Sequence, residues 1–188
     1  MKGFLYSKFI DLFIGVSNYT VKEILRDFGA YSKNKTMTIY NGVFLQDIKI
    51  KSERNSCQPI FLVASHLREF KGIPDLIIAV SKLSNEIKSK LKITIYGDEP
   101  NKNQLLKKVA GYKLQNIFEF RGSVSNLKEL YCNYDYMLQP THMDCFSLSI
   151  LESFAANMPV IATNADGNKE ALQIILMILF LNREIFVR

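Results

Sequence analysis

Between Ile60 and Thr163 the sequence alternates short apolar runs with stretches of helical spacing, and this alternation restricts the fold more than any other feature. The apolar runs are Ile60 to Ala64, Leu91 to Tyr96, Ile117 to Phe120, Tyr136 to Leu138 and Val160 to Thr163. Between them lie expected helices at Pro74 to Leu83, Asn103 to Val109, about Asn126 to Asn133, and Ser147 to Asn157. Runs so nearly continuous in apolar residues have no wet face, so each strand should be covered on both sides, and strands joined by helices run parallel. The expected class is α/β, a doubly wound, Rossmann-like parallel sheet. Such sheets bind ligands beyond the carboxyl ends of their strands.

Upstream, Leu12 to Val16 reads as a short buried strand, and Thr20 to Glu23 as a capping box opening a helix that stops at Gly29. Thr38 to Tyr40 leads into Asn41, Gly42 and Val43, and Ile48 to Gln58 is a polar connection. With 188 residues the chain fits one domain or one and a fraction. The apolar run Ile174 to Leu181 is too short to cross a bilayer. Cys57, Cys132 and Cys145 are widely spaced and odd in number, and no signal peptide precedes them, which fits unpaired thiols in a cytoplasmic protein. The net charge of +6 suits an anionic ligand or an anionic membrane face, and is equally common on plain soluble proteins. The sequence contains neither a G-x-G-x-x-G set nor a Walker sequence, which argues against a dinucleotide cofactor and an ATPase. His142, Asp144 and Cys145 lack an evident fourth ligand for a metal.

The stretch from Gln139 to Gly167 carries the chemistry. A strand end at Met137 and Leu138 passes through a polar loop, Pro140 to Cys145, into a helix opening near Ser147. Asp144 lies eight residues before Glu152. At a rise of about 1.5 Å per residue Glu152 sits about 8 Å into the helix, so both acids can border one pocket at its mouth. The first amides of a helix lack internal partners, so those around Phe146, Ser147 and Leu148 can receive a phosphate or another anion. Carboxylates repel phosphate but accept hydroxyl groups, so the two acids suit the hydroxylated part of a ligand, a ribose or a hexose. From the residues alone a second reading stands beside this one: Asp144 favours the helix dipole, and Glu152 is an ordinary surface acid.

This segment resembles the signature of the retaining glycosyltransferases of family 4, also called group 1, which have the GT-B fold. Their pattern is E-x-F-G-L-x-x-x-E, an Ala-rich helix, a Pro-Val-Ile-Ala-Thr strand and a Gly-Gly turn. Here it runs Asp144, Cys145, Phe146, Ser147, Leu148, Glu152 and Pro159 to Thr163, with Asp144 for Glu, Ser147 for Gly and Asp166-Gly167 for Gly-Gly. The loop Ser65 to Gly72 resembles the family's G-R-L-x-x-x-K-G: Lys71 and Gly72 match, Ser65 stands for Gly, and His66 for Arg, with Arg68 two residues on. Histidine can donate to a phosphate but lacks the permanent charge and the fork of arginine. Lys71 taken alone would read as a solvated loop lysine. Gly97 to Pro100 is similar to the G-D-G-P turn with Glu99 for Gly, and Phe120 to Val124 to the F-x-G-x-V segment.

The resemblance covers about residues 10 to 172. It implies a donor-binding half of a hexosyl-transferring enzyme using a UDP- or GDP-sugar. Lys71 and His66 would hold the pyrophosphate, and the donor would also be bound at Cys145 and by the amides after it, those of Phe146, Ser147 and Leu148. Glu152 would hold the ribose and Asp144 the sugar, these two acids being the catalytic candidates, with the backbone of Gly122 to Val124 beside the base. No cofactor and no bound metal are implied. The acceptor would be a glycan or a lipid-linked glycan of polysaccharide biosynthesis, with peripheral contact at the inner membrane face left open and no nucleic acid as partner. The implied domains are 1–45, the end of an N-terminal domain and its connection; 46–172, the donor domain; and 173–188, an atypical apolar tail. That tail reads as a frameshifted or truncated gene end, or as an apolar helix against the sheet or a membrane. Two alternatives accompany this expectation: a nucleotide-sugar-binding module without catalysis that needs a separate acceptor chain, and an inactive truncated gene product.

Overall fold

The structure, a computed structural model, describes residues 8–53, 57–98 and 100–174. The chain divides into two compact units. The first takes Met1–Gly42, Asp144–Leu148 and Asn164–Arg188, and the second Val43–Met143 and Ser149–Thr163. The expected tail from residue 175 onward and Glu99 of the Gly97 to Pro100 turn lie outside the described residues.

In the first unit β1 (Phe13–Gly15) pairs in parallel with β2 (Thr36–Thr38), joined through α1 (Asn18–Phe28). The helix cap differs from the expectation. Ser17, in an extended conformation with φ −158°, accepts the Thr20 amide at 3.1 Å, so Thr20 lies inside the first turn. Two hydroxyl residues three positions apart competed for the cap, and the one preceded by the strand won. The helix does stop at Gly29, whose φ of 74° is the left-handed conformation that glycine adopts without strain.

The second unit holds β3 (Ile60–Ala64), β4 (Lys92–Tyr96), β5 (Phe118–Gly122), β6 (Tyr136–Gln139) and β7 (Val160–Ala162). They form one parallel sheet in the order β5-β4-β3-β6-β7. The helices are α2 (Ile73–Ser81), α3 (Asn85–Lys90), α4 (Lys102–Gly111), α5 (Leu127–Leu130) and α6 (Leu148–Ala155). Both faces of the sheet are covered, as the apolar runs require: neighbours Leu62 and Val63 on β3 point oppositely, yet both are fully buried. Val63 joins Ile73, Ile77, Ile93, Ile95 and Leu105 on one face. Leu62 joins Tyr131, Tyr134, Met137, Ala156 and Met158 on the other. Each fully buried valine, leucine, isoleucine or methionine among them contributes about 1.5–3 kcal/mol by leaving water.

Most element bounds shift by a residue or two from the expectations, and the largest differences are three. The short α3, capped by Ser84, was not anticipated, because six residues carry too little periodicity. The expected helix from Asn126 to Asn133 is four residues of α5 followed by a tight 3-10 turn at Tyr131–Asn133, which drives the Tyr131 ring into the core. The helix expected over Ser147 to Asn157 spans Leu148–Ala155, and Asn157 stands beyond its end at φ 58°.

The amino end of the sheet is tied by a buried ion pair. Asp135 accepts the Ile60 amide at 2.8 Å and pairs with Lys51 Nζ at 3.1 Å, with side-chain exposures of 3% and 13%. The Lys51 backbone in turn donates to the Ala156 carbonyl and accepts from Asn157 Nδ2.

Candidate functional site

The order β5-β4-β3-β6-β7 places the topological switch between β3 and β6, since from β3 the chain winds outward to β4 and β5 and then returns to β6 and β7. The loops leaving the carboxyl ends of β3 and β6 therefore part in opposite directions and open a crevice, the place where such sheets take ligands. Both loops carry residues that the sequence singled out.

The loop after β3 holds His66, exposed, and Lys71, half-buried at the end of a 3-10 turn over Glu69–Lys71. Lys71 Nζ lies 5.5 Å from the Phe70 ring centroid. Gly72 then turns the chain into α2 with φ 68°. A Cβ at this position would fall 1.8 Å from the Pro140 carbonyl oxygen, so the two loops approach as closely as only glycine permits. The same loops are cross-linked. The Phe70 carbonyl accepts the His142 amide at 2.8 Å and the Thr141 hydroxyl at 3.2 Å, and His142 Nε2 lies 2.6 Å from Asp75 Oδ2 on α2. The partnership of His142 with Asp75 was not legible in the sequence, where His142 figured only as a metal candidate.

The next two loops stack on the first. Gly97, at φ 147°, has room for no side chain, because a Cβ would meet the Ser65 carbonyl at 1.9 Å, and its amide donates to the Gly122 carbonyl at 3.0 Å. Gly122 has φ 74°, at an irregularity where β4 and β5 shift register, and Val124 beyond it is exposed. His66, Lys71, Gly122 and Val124 thus share the carboxyl edge of one sheet.

Glu152 occupies the second turn of α6. It is not an ordinary surface acid. The hydroxyl of fully buried Tyr131 donates to its Oε2 at 2.9 Å. Burial, and then the adjacent Glu152 carboxylate, push the Tyr131 phenol far above the ordinary tyrosine range, so it stays protonated and donates. Nothing in the sequence marks Tyr131 beyond its aromatic character.

Asp144, Cys145, Phe146, Ser147 and Leu148 belong to the first unit. Asp144 is half-buried and Cys145 exposed, whereas Phe146 and Ser147 are buried at 4% and 5%. The Phe146 ring packs against Tyr40, with centroids 5.3 Å apart, and the Phe146 carbonyl accepts Asn41 Nδ2 at 3.2 Å. Gly167 passes so close that a Cβ would lie 1.8 Å from the Cys145 carbonyl oxygen, and its amide donates to the Asp144 carbonyl at 3.0 Å. The Asp166-Gly167 pair therefore retains glycine where crowding demands it and places aspartate where the chain is exposed. A second cluster in this unit went unread in the sequence: Glu170 accepts the Asn18 amide and Nδ2, the Tyr19 amide and the Tyr40 hydroxyl. Burial opposes its charge, but these donors outweigh that and hold the Glu170 carboxyl below the usual carboxylate range.

A family model for glycosyl transferases group 1 matches residues 46–173. The chain belongs to that family. Among curated relatives it is similar to N-acetyl-alpha-D-glucosaminyl L-malate synthase of Bacillus anthracis, 28% identical over 144 residues, covering 72% of this chain and 37% of that protein. It is also similar to the GtfA subunit of the UDP-N-acetylglucosamine–peptide N-acetylglucosaminyltransferase of Streptococcus pneumoniae, 24% identical over 166 residues, covering 87% of this chain and 32% of the relative. Among solved structures, HepE of Anabaena in complex with UDP and glucose superposes with a TM-score of 0.75 at 20% identity, over 88% of this chain and 48% of that one. The chain thus spans about a third of the length of these curated relatives and about half of the solved neighbour. The superposition bears out the Rossmann-like class and its GT-B setting. Among the described residues no helix is long and apolar enough to cross a membrane.

Proposed function

We propose that residues 46–172 form the donor-binding domain of a glycosyltransferase that moves a hexosyl group, with retention of configuration, from a UDP- or GDP-sugar to a glycan or lipid-linked acceptor. The observation that carries this reading is the family match over residues 46–173, which contain every candidate residue. Lys71 and His66, on the loop leaving β3 at the switch point, bind the pyrophosphate. The amides of Phe146, Ser147 and Leu148, at the entry to α6, are read as anion-binding groups through the helix dipole. Glu152 accepts a ribose hydroxyl, Asp144 accepts from the transferred sugar, and the Gly122 to Val124 backbone lies beside the base. Asp144 carries the charge of glutamate on a side chain one methylene shorter. The reading assigns no resident metal or cofactor.

A second reading is supported by one relative's being a subunit of its enzyme. Here the chain binds the nucleotide-sugar and a separately encoded chain supplies the acceptor surface, the membrane contact or both. Calorimetric titration of the purified chain with UDP and GDP tests the donor site common to both readings. We expect one nucleotide to bind and Glu152→Ala and Lys71→Ala each to weaken it by about tenfold, the loss of one charge-assisted hydrogen bond. A folded chain that binds neither nucleotide overturns the proposal. Transfer of sugar by the chain alone, without a partner, would rule out the second reading.

A further inference from the structure

The donor-site reading leaves open what aims Glu152. A carboxylate on an exposed helix face rotates freely about its side-chain torsions, and that freedom is lost on binding a ribose hydroxyl. Glu152 is constrained instead: Oε2 takes the Tyr131 hydroxyl at 2.9 Å, and the ring of Tyr131 is fully buried among Leu62, Tyr134, Met137 and Ala156. Its other oxygen, Oε1, takes no hydrogen bond from any described residue, and Glu152 as a whole is half-exposed. The backbone beneath is equally fixed, since Ser153 donates to the Ser149 carbonyl at 2.7 Å and contacts Met137 Sδ at 2.6 Å.

Resting on the donor-site reading, we infer that Tyr131 is a positioning residue for Glu152, holding one carboxylate oxygen so that the other is presented to a sugar hydroxyl of the bound nucleotide. The phenol is placed in turn by the tight 3-10 turn between α5 and β6, which accounts for the early end of α5. Because burial keeps the proton on Tyr131, the hydrogen bond has one direction, and the acceptor capacity of Oε1 is undivided.

The test is a ligand cycle on the intact chain, with UDP and its 2′,3′-dideoxy analogue, run in parallel with the guanosine pair. Wild type should prefer the ribonucleotide, and Tyr131→Phe should lower ribonucleotide affinity by about tenfold while leaving the dideoxy analogue within about twofold. A merely structural tyrosine would weaken both ligands alike, and that result overturns the inference. Glu152→Ala should erase the ribose preference. If it does so while Tyr131→Phe keeps the preference, positioning fails and the donor reading stands; if Glu152→Ala also keeps it, the donor reading of Glu152 fails. Should Tyr131→Phe not fold, Glu152→Asp serves, because it retains the charge and the buried tyrosine but withdraws the carboxylate from the hydroxyl's reach. It should lose the preference as Glu152→Ala does, and a preference equal to wild type overturns the inference. Absence of binding by folded wild type removes the donor reading and the inference together.

Discussion

Asp135 at the amino end of the sheet and Glu152 on α6 are both carboxylates in the second unit, and their surroundings are opposite. Asp135 is 2% exposed, accepts a backbone amide and is paired with a lysine that is itself largely buried. Glu152 is half-exposed, and among the described residues only its Oε2 finds a partner. Around Asp135 the chain is tied by hydrogen bonds from β3, the Lys51 segment and the end of α6. The carboxyl edge is also crowded, but there crowding is met by glycines, Gly72 and Gly97, that let loops approach, and the exposed side chains there include His66, Arg68, Glu69, Phe70 and Val124. Under the proposed function, saturated polar contacts hold the amino end of the sheet, and the carboxyl end keeps polar groups for a ligand.

Breaking the closed end should cost most. Asp135→Ala leaves the Lys51 ammonium only the Cys132 carbonyl among its described partners and strands the Ile60 amide, and should lower unfolding free energy by about 3–5 kcal/mol, measured by urea denaturation. The fraction that remains folded should bind nucleotide as wild type does. A cost below about 1 kcal/mol would remove the distinction between the two ends. Gly72→Ala attacks the other end: the left-handed backbone alone costs about 1–2 kcal/mol, and the collision with Pro140 adds to it or displaces the loop. It should therefore lower nucleotide affinity as well as stability, which Asp135→Ala should not.

Glu170 in the first unit is the intermediate case, a partly exposed carboxylate saturated by four donors. Two of those donors are the first amides of α1, so Glu170→Gln should cost about 1 kcal/mol at neutral pH, the scale of a helix cap with its dipole. Its carboxyl is held below the unfolded value, so the stabilisation is present above the ordinary carboxylate range and is lost as pH falls through the depressed folded value. Melting curves of wild type and Glu170→Gln should converge in acid. Curves that stay parallel would show that the charge contributes nothing.

How much of this was legible follows from the range of each interaction. The five strands and their parallel pairing were readable because apolar runs and intervening helices are local patterns. The cap at Ser17 was misread because the sequence supplied two hydroxyl residues, Ser17 and Thr20, and only the backbone entering the helix distinguishes them. Lys71, Asp144 and Glu152 could be picked out by motif and spacing. Tyr131, Lys51 with Asp135, His142 with Asp75, and Glu170 with Tyr40 could not, since each pair is distant in the chain and becomes a pair only when the elements pack.

The proposed function puts the ligand at the carboxyl edge of the second unit's sheet. Amide hydrogen exchange on the whole chain, with and without saturating UDP or GDP, tests it most directly. The account predicts new protection in Ser65 to Gly72 and in Pro140 to Met143, with exchange unchanged around Lys51 and in Cys132 to Asp135. Protection confined to the Lys51 and Asp135 end, or spread evenly over both, would contradict it.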